Sequence, residues 1–366
     1  MNQIETPAFL VDWNKTRENA EMMIQKAKKA SVRLRPHVKT HKTLEIAAFQ
    51  SQDIGNPITV STIAELLFYY QSGFKDCTYA VPITFEKWKK LALNESINLN
   101  SINFLTDDLD TTISINKKAS DLNTQVNLFL KIDSGAHRAG LQPKSERLLD
   151  LATFVNEASN LNLIGLLTHA GQSYNTSEAE QKKEIVKQEI DSIVHSAEWL
   201  ESKGIEIRER SIGSTPTMMQ AVDLKGITEI RPGNYIWFDL FQFHRGNCEL
   251  DQIACSVLTA IIGVYPERNT ILVDAGALAL SKDAGFYQNG KVLFGQIKNH
   301  PDWELVSLSQ EHGIIQIGNT DWTNLKVGDY LEIIPNHSCL TAACFEFYYC
   351  INDGKSIQKI KPIKFF

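Results

Sequence analysis

The sequence predicts an α/β fold, a (β/α)8 barrel of the TIM type, with a second, smaller all-β domain. Three observations predict it. Short β-rich runs alternate with longer helix-patterned segments, the order of parallel strands and crossover helices. Eight such units fit in the first two thirds of the 366 residues, enough for a barrel. Beyond residue 246 short strands and closely spaced turn residues continue with no long helix pattern between them. An open doubly wound sheet is the alternative for the first part.

The run PAFLVD (7–12) precedes the first barrel helix and is free to pair with the later β domain. Barrel strands are expected at VRLRPHV (32–38), PITVS (57–61), CTYAVP (77–82), INFLTD (102–107), QVNLFLKID (125–133), LIGLLTH (163–169), IRERSIG (207–213) and ITEIRPG (227–233). Between them AELLFYYQSG (64–73), SERLLDLATFVNEAS (145–159) and the charged stretch 178–204 carry apolar residues at helical spacing, and Gly204 suits the position that ends the last helix. The runs 254–265, 269–280, 312–318 and 329–337 read as strands, punctuated by Pro266, Gly285, Gly290, Gly318 and Gly328. The expected division is 12–245 for the barrel and 1–11 plus 246–366 for the β domain.

Composition limits the function. With 37 Lys+Arg against 43 Asp+Glu the net charge is −6, and no basic face for a nucleic acid is implied. No apolar run reaches the roughly 18 residues of a membrane span, and the first residues lack the pattern of a signal peptide. The six cysteines are irregularly spaced and form no CxxC, which fits reduced thiols in the cytoplasm.

The sharpest local feature is RPHVKTHKT (35–43). Lys39 stands at the expected end of the first barrel strand, and the C-terminal strand ends of such barrels line the active site. Flanked by His37 and His41 and partly desolvated, its neutral amine would attack an aldehyde. Other strand ends add to it. The fifth runs through Asp133 into SGAHRAG with Arg138, and the sixth ends in His169 followed by AGQSY with Tyr174. The seventh ends in GSTPT (213–217) and the eighth in RPGNY (231–235). Gly213, Ser214, Thr215, Gly233 and Asn234 offer hydroxyls and open backbone N–H groups where barrels often hold a phosphate. Near the end, PNHSC sets His337 and Cys339 two apart on an apparent strand, which points both side chains to one face. The residues alone leave two readings: a buried cysteine beside a hydrogen-bonded histidine, or an open metal site in which nitrogen plus sulfur favours zinc.

Taken together these segments resemble the fold-type III pyridoxal-phosphate enzymes, the alanine-racemase-like barrels, and within them the D-serine dehydratase and D-threonine aldolase group. TPAFLVD, PHVKTHK, HAGQSY, GSTPT, RPGNY, VDAGALALS, LSQEHG and PNHSC carry the resemblance over nearly the whole chain. It implies that Lys39 carries pyridoxal 5′-phosphate, that Gly213, Ser214, Thr215, Gly233 and Asn234 hold its phosphate, that Arg138 faces its phenolic oxygen, and that His169 and Tyr174 lie at its ring. Arg231 either reaches the pyridine nitrogen or is structural. It also implies that His337 and Cys339 bind Zn2+. The aldolases resemble a His-x-Asp pair, so Cys339 favours dehydration.

The implied reaction is β-elimination of water from a D-3-hydroxy amino acid, D-serine to pyruvate and ammonia first. The alternatives are a D-threonine-type aldolase, an alanine racemase (less well matched), a non-catalytic pyridoxal-phosphate-binding protein and a cofactor-free barrel. A homodimer is implied as well. Weaker candidates are Asp274 and Asp283 at the mouth and Gln310, Glu311 and His312 near the substrate. Cys344 and Cys350 are expected in the core, and His195 on the surface or packed.

Overall fold

The computed structural model describes residues 4–286, 290–318 and 322–364. The expected domain limits also took in 1–3, 287–289, 319–321 and 365–366, which lie outside the described residues. The chain divides into two compact units, Glu21–Gly233, and the residues through Ala20 together with Asn234–Lys364. This division assigns the start of the first helix and the segment 234–245 to the β unit rather than to the barrel.

In the barrel unit the strands Arg33–Leu34, Ile58–Val60, Cys77–Pro82, Ile102–Thr106, Val126–Lys131, Leu161–Leu167, Glu209–Ile212 and Glu229–Ile230 run parallel, and Glu229–Ile230 pairs back onto Arg33–Leu34. The remaining edge closes through the parallel bridge between His37 and Thr59. All eight strands stand where the sequence predicts them, and this sequential, closed order is a barrel rather than an open sheet. Leu34, Val60, Phe104, Phe129, Leu130 and Ile212 are buried. Thr62, Thr84, Asp108 and Ser145 each cap the next helix by accepting a backbone N–H, and the first three follow their strands by short turns. The long helix Ala179–Glu201 buries Ile185, Val186, Ile193, Ala197 and Leu200 along one stripe. It ends as expected at Gly204, whose φ of +84° lets the Ile205 N–H return to the Leu200 carbonyl at 3.1 Å.

In the β unit Cys255–Tyr265 pairs with Tyr330–Pro335 and with Thr270–Val273, while Gly295–Ile297, Glu304–Leu308 and Gly313–Gln316 complete the ring. An irregularity between Ile261 and Gly263 bends the long strand so that it serves both neighbours. Ala8–Asp12 lies antiparallel to Cys255–Tyr265 and parallel to Tyr348–Asn352, so the N-terminal strand does join this sheet.

The expected barrel strands 32–38 and 227–233 are reduced to Arg33–Leu34 and Glu229–Ile230, and in the β unit two expected strands give way to helix. The run 269–280 is strand only to Val273, and Ala277–Leu280 is a helical turn. The backbone must turn at Gly276, where a Cβ would lie 2.4 Å from the His312 nitrogen. The run 329–337 is strand to Pro335, and Ser338–Ala343 is helical. Short apolar runs suit either state, and tertiary packing decides. No helix among the described residues is long and apolar enough to cross a membrane.

Candidate active site

Lys39 does not continue the first strand. The chain leaves the barrel at His37 through a turn closed by Lys42 N–H to the Val38 carbonyl, 2.9 Å. The turn carries Lys39, whose side chain is exposed. The same turn drives His41 inward. His41 is fully buried between Thr43 and Gln50, and burial holds its pKa at about 4, so it is a neutral structural residue. His37 sits beside Lys39, and burial followed by the Lys39 charge depresses its pKa well below the usual imidazole range.

The barrel unit brings further cations to the same place. His169 lies close enough to Lys39, Lys131 and Arg138 that their charges, after burial, push its pKa far down. Its Nδ1 is 3.2 Å from the Gly213 carbonyl. A carbonyl only accepts, so Nδ1 carries the hydrogen and Nε2 keeps its lone pair. The rings of His169 and Tyr174 stand 6.3 Å apart. Arg138 is exposed on the excursion 132–141, which closes by Leu141 N–H to the Lys131 carbonyl at 2.8 Å. Asp133 is absorbed by that excursion, accepting from the Gly135 and His137 backbones and from the His137 ring. Arg231 is buried and donates to Ser211 Oγ and to the Thr168 carbonyl. Burial lowers its pKa to about 10.

Sequence reasoning missed Lys131. It looks like one more residue of an apolar strand, but it is 6% exposed and faces the charges of Arg231 and Arg138. Burial, then those two cations, lowers its pKa to about 7. Among the described residues neither Lys39 Nζ, Lys131 nor Arg138 has an ion pair or a side-chain hydrogen bond. Three uncompensated cations, one of them buried, suit an anionic ligand such as a phosphorylated, carboxylate-bearing aldehyde adduct.

The residues expected at the phosphate are arranged less openly. Ser214 caps Thr215–Gln220 in a capping box with Thr217, and its hydroxyl also meets Ser173 at 3.0 Å. The Gly213 N–H bonds Glu189 Oε1 at 3.2 Å, and the Ala170 N–H bonds the same oxygen at 2.9 Å. Glu189, from the long helix, therefore ties the loops after the sixth and seventh strands together, a role the sequence did not signal. Thr215 opens the capped helix, and Gly233 packs on His37 so closely that a Cβ would lie 2.7 Å from its carbonyl oxygen. Asn234 belongs to the β unit, where its Nδ2 serves Asp239 at 2.9 Å and Ser338 Oγ at 2.8 Å, and approaches Cys339 Sγ at 3.7 Å. Its side chain is thus committed to the histidine–cysteine segment.

That segment differs from its expected geometry. His337 is the N-cap of Ser338–Ala343, and Cys339 sits in the first helical turn instead of two positions along a strand. The two side chains still meet. Burial alone would lower the His337 pKa, but the hydrogen bond and charge of Cys339, then Asp239 and Asp283, outweigh it and raise the pKa to about 10. An imidazole nitrogen and a thiol set among two carboxylates fit a soft divalent cation such as zinc, and no group of three or more such ligands exists among the described residues. Two such donors would leave a metal site open.

Of the weaker candidates, Asp274 is structural, accepting from Thr6 and Thr259 hydroxyls, each at 2.6 Å. Gln310, Glu311 and His312 form an exposed hairpin turn. Cys350 is buried, whereas Cys344 is exposed at the end of its helix, not in the core; none of the six cysteines is in a disulfide. His195 is exposed.

Comparison with known proteins agrees with this layout. Residues 11–240 match the family model described as alanine racemase, N-terminal domain, and residues 254–351 match the putative serine dehydratase domain. The chain is 37% identical to a D-serine dehydratase of Dictyostelium discoideum, over 100% of this chain and 98% of the relative. It is 31% identical to the D-threo-3-hydroxyaspartate dehydratase of Delftia sp., over 97% and 96%. The solved structure of that enzyme superposes with a TM-score of 0.93 and covers 100% of this chain and 99% of the other. The same enzyme has been solved with a histidine, and separately with a cysteine two positions later, replaced by alanine; the cysteine variant is described as metal-free.

Proposed function

Because the chain belongs to the family that joins an alanine racemase N-terminal domain to a serine dehydratase domain, we propose that it is a lyase that dehydrates a D-3-hydroxy amino acid, D-serine foremost, to pyruvate and ammonia, with pyridoxal phosphate and zinc. The observation that carries the reading is the set of uncompensated cations Lys39, Lys131 and Arg138 beside a neutral His169, in a chain that also sets His337 against Cys339.

Pyridoxal phosphate, when bound, supplies the electron sink that makes the substrate Cα proton removable. The residues do the rest. The exposed Lys39 amine would hold the cofactor, and its Nζ, once free, would take the Cα proton. Arg138 places a guanidinium against a cofactor or substrate oxyanion, and Lys131 adds positive potential from within the barrel. His169 stays uncharged because its neighbours are cationic, with its N–H fixed on the Gly213 carbonyl.

Elimination must also expel hydroxide, a poor leaving group. His337 and Cys339 would hold a zinc ion, which would supply the Lewis acidity that makes the hydroxyl a better leaving group. Loss of water leaves an enamine that becomes an imine and hydrolyses, so one hydroxy amino acid yields one keto acid and one ammonia with no net redox change. In this reading the protein is a cytoplasmic homodimer.

The test is a product assay on the purified protein with pyridoxal phosphate. D-serine, D-threonine and D-threo-3-hydroxyaspartate are each supplied with and without EDTA. Keto acid with ammonia is expected, lost with EDTA and restored by zinc. Glycine with an aldehyde from D-threonine would make the protein an aldolase. Neither product would leave a racemase or a non-catalytic binding protein.

A further inference from the structure

We infer that Asp283 is a positioning residue that fixes the tautomer of His337, so that the imidazole offers Nε2 to a metal ion; the inference rests on the metal reading of His337 and Cys339.

His337 Nδ1 lies 2.8 Å from Asp283 Oδ2. A carboxylate only accepts, so Nδ1 keeps a hydrogen directed at Asp283, and Nε2 is the ring nitrogen that coordinates once a metal ion displaces its proton. Metal-ligating histidines commonly hand their second N–H to a carboxylate in this way, which orients the ring and raises its basicity.

Two carboxylates stand near His337, and their other contacts separate them. Asp239 is saturated. It accepts from the Ser338 N–H at 3.0 Å, the Ser338 hydroxyl at 3.1 Å, the Gln242 N–H at 3.0 Å and Asn234 Nδ2 at 2.9 Å. It therefore shapes the turn that carries His337 and Cys339. Asp283 is different: among the described residues the His337 ring is the one hydrogen-bond donor to its carboxylate.

Asp283 is also held in place by its backbone. Asn336, the residue before His337, donates from Nδ2 to the Asp283 carbonyl at 2.8 Å and to the Leu293 carbonyl at 2.8 Å. The pair is about a third exposed on each side (33% and 37%), so an untethered hydrogen bond of this kind would be weak in water. The Asn336 clamp removes most of the freedom that would otherwise break it. The two segments share no local sequence motif; the fold alone brings them together.

The experiment measures zinc affinity of the full-length protein, with pyridoxal phosphate present throughout, by competition with a chromophoric chelator. Wild type, Asp283→Asn, Asp283→Ala, His337→Ala and Cys339→Ala are compared. Loss of the orienting carboxylate is expected to weaken zinc binding by about 10- to 100-fold in both Asp283 variants. The cofactor spectrum and the melting temperature of the metal-free protein stay as in wild type. Cobalt(II) bound to Asp283→Asn is expected to keep the thiolate charge-transfer band and the wild-type ligand-field spectrum, because Asp283 is not itself a ligand. Wild-type zinc affinity in both Asp283 variants, with binding lost in His337→Ala and Cys339→Ala, would overturn the inference while leaving the metal pair intact. A changed cobalt ligand field in Asp283→Asn would overturn it too, by making Asp283 a direct ligand. Undiminished zinc binding in His337→Ala and Cys339→Ala would instead remove the metal reading itself.

Discussion

At the scale of single residues, charge placed against solvation decides what each side chain can do. Lys131 is the clearest case. Its folded pKa is about 7 against an ordinary value of 10.5, so the folded state disfavours its protonated form. The unfolded chain then binds more protons between these values, and stability rises with pH across that window. The penalty is complete below pH 7, fades between 7 and 10.5, and is absent above. Lys131→Met is therefore expected to stabilise the cofactor-free protein at pH 7 by a few kcal/mol and to match wild type near pH 10.5. The same change is expected to weaken pyridoxal phosphate binding. Urea midpoints at the two pH values, with a cofactor titration, check it; no stability difference at pH 7 would mean that the amine is solvated after all. Asp133 and His41 show the opposite outcome. Both sit beside candidate motifs, and both are absorbed by local hydrogen bonds.

At the scale of elements, the site depends on loops that the helices hold. Glu189 reaches from Ala179–Glu201 to the N–H groups of Ala170 and Gly213, which follow different strands. Glu189→Ala leaves two buried donors without an acceptor, at a cost of about 2–5 kcal/mol. Glu189→Gln keeps a carbonyl oxygen for them and should lose less than half of that. The stability change should be accompanied by weaker cofactor binding, since His169 and Gly213 are the residues displaced. Denaturant titrations of both variants measure the ordering, and equal losses would show that charge rather than acceptor geometry matters. The shortened strand before His337 makes the same point. The apolar pattern runs through 329–337, but the helix Ser338–Ala343 takes over because Asp239 caps its turn from another segment.

At the scale of the whole molecule, the proposed metal would serve chemistry rather than folding. A structural zinc is enclosed by four protein ligands and is needed for the fold. Here the β unit closes through its own strand ladder, with Cys255–Tyr265 paired on both sides, and among the described residues no group of three or more His, Cys, Asp or Glu could hold a metal. Treatment with EDTA is expected to abolish turnover while changing the melting temperature by only a few degrees and leaving the circular dichroism unchanged. Unfolding on chelation would show that the ion is structural.

The periods of the sequence determined most of the fold. Eight β-rich runs fell on eight parallel strands, and the stripe and Gly204 marked the long helix, because helix and strand spacing are local properties. Lys39, Arg138, His169 and Tyr174 could be placed just after barrel strands for a related reason, because strand ends are countable. Other features were decided by tertiary structure alone. Lys131 reads as a strand residue until its neighbours are known, since a pKa belongs to an environment. Glu189, Asp239 and Asp283 lie 24, 99 and 54 positions from Gly213, Ser338 and His337, the partners they hold. Hydrogen bonds across such separations leave no periodic trace in the chain. The exposure of Lys39 and the helical setting of Cys339 follow from where turns close, and that depends on contacts between segments that the sequence does not place side by side.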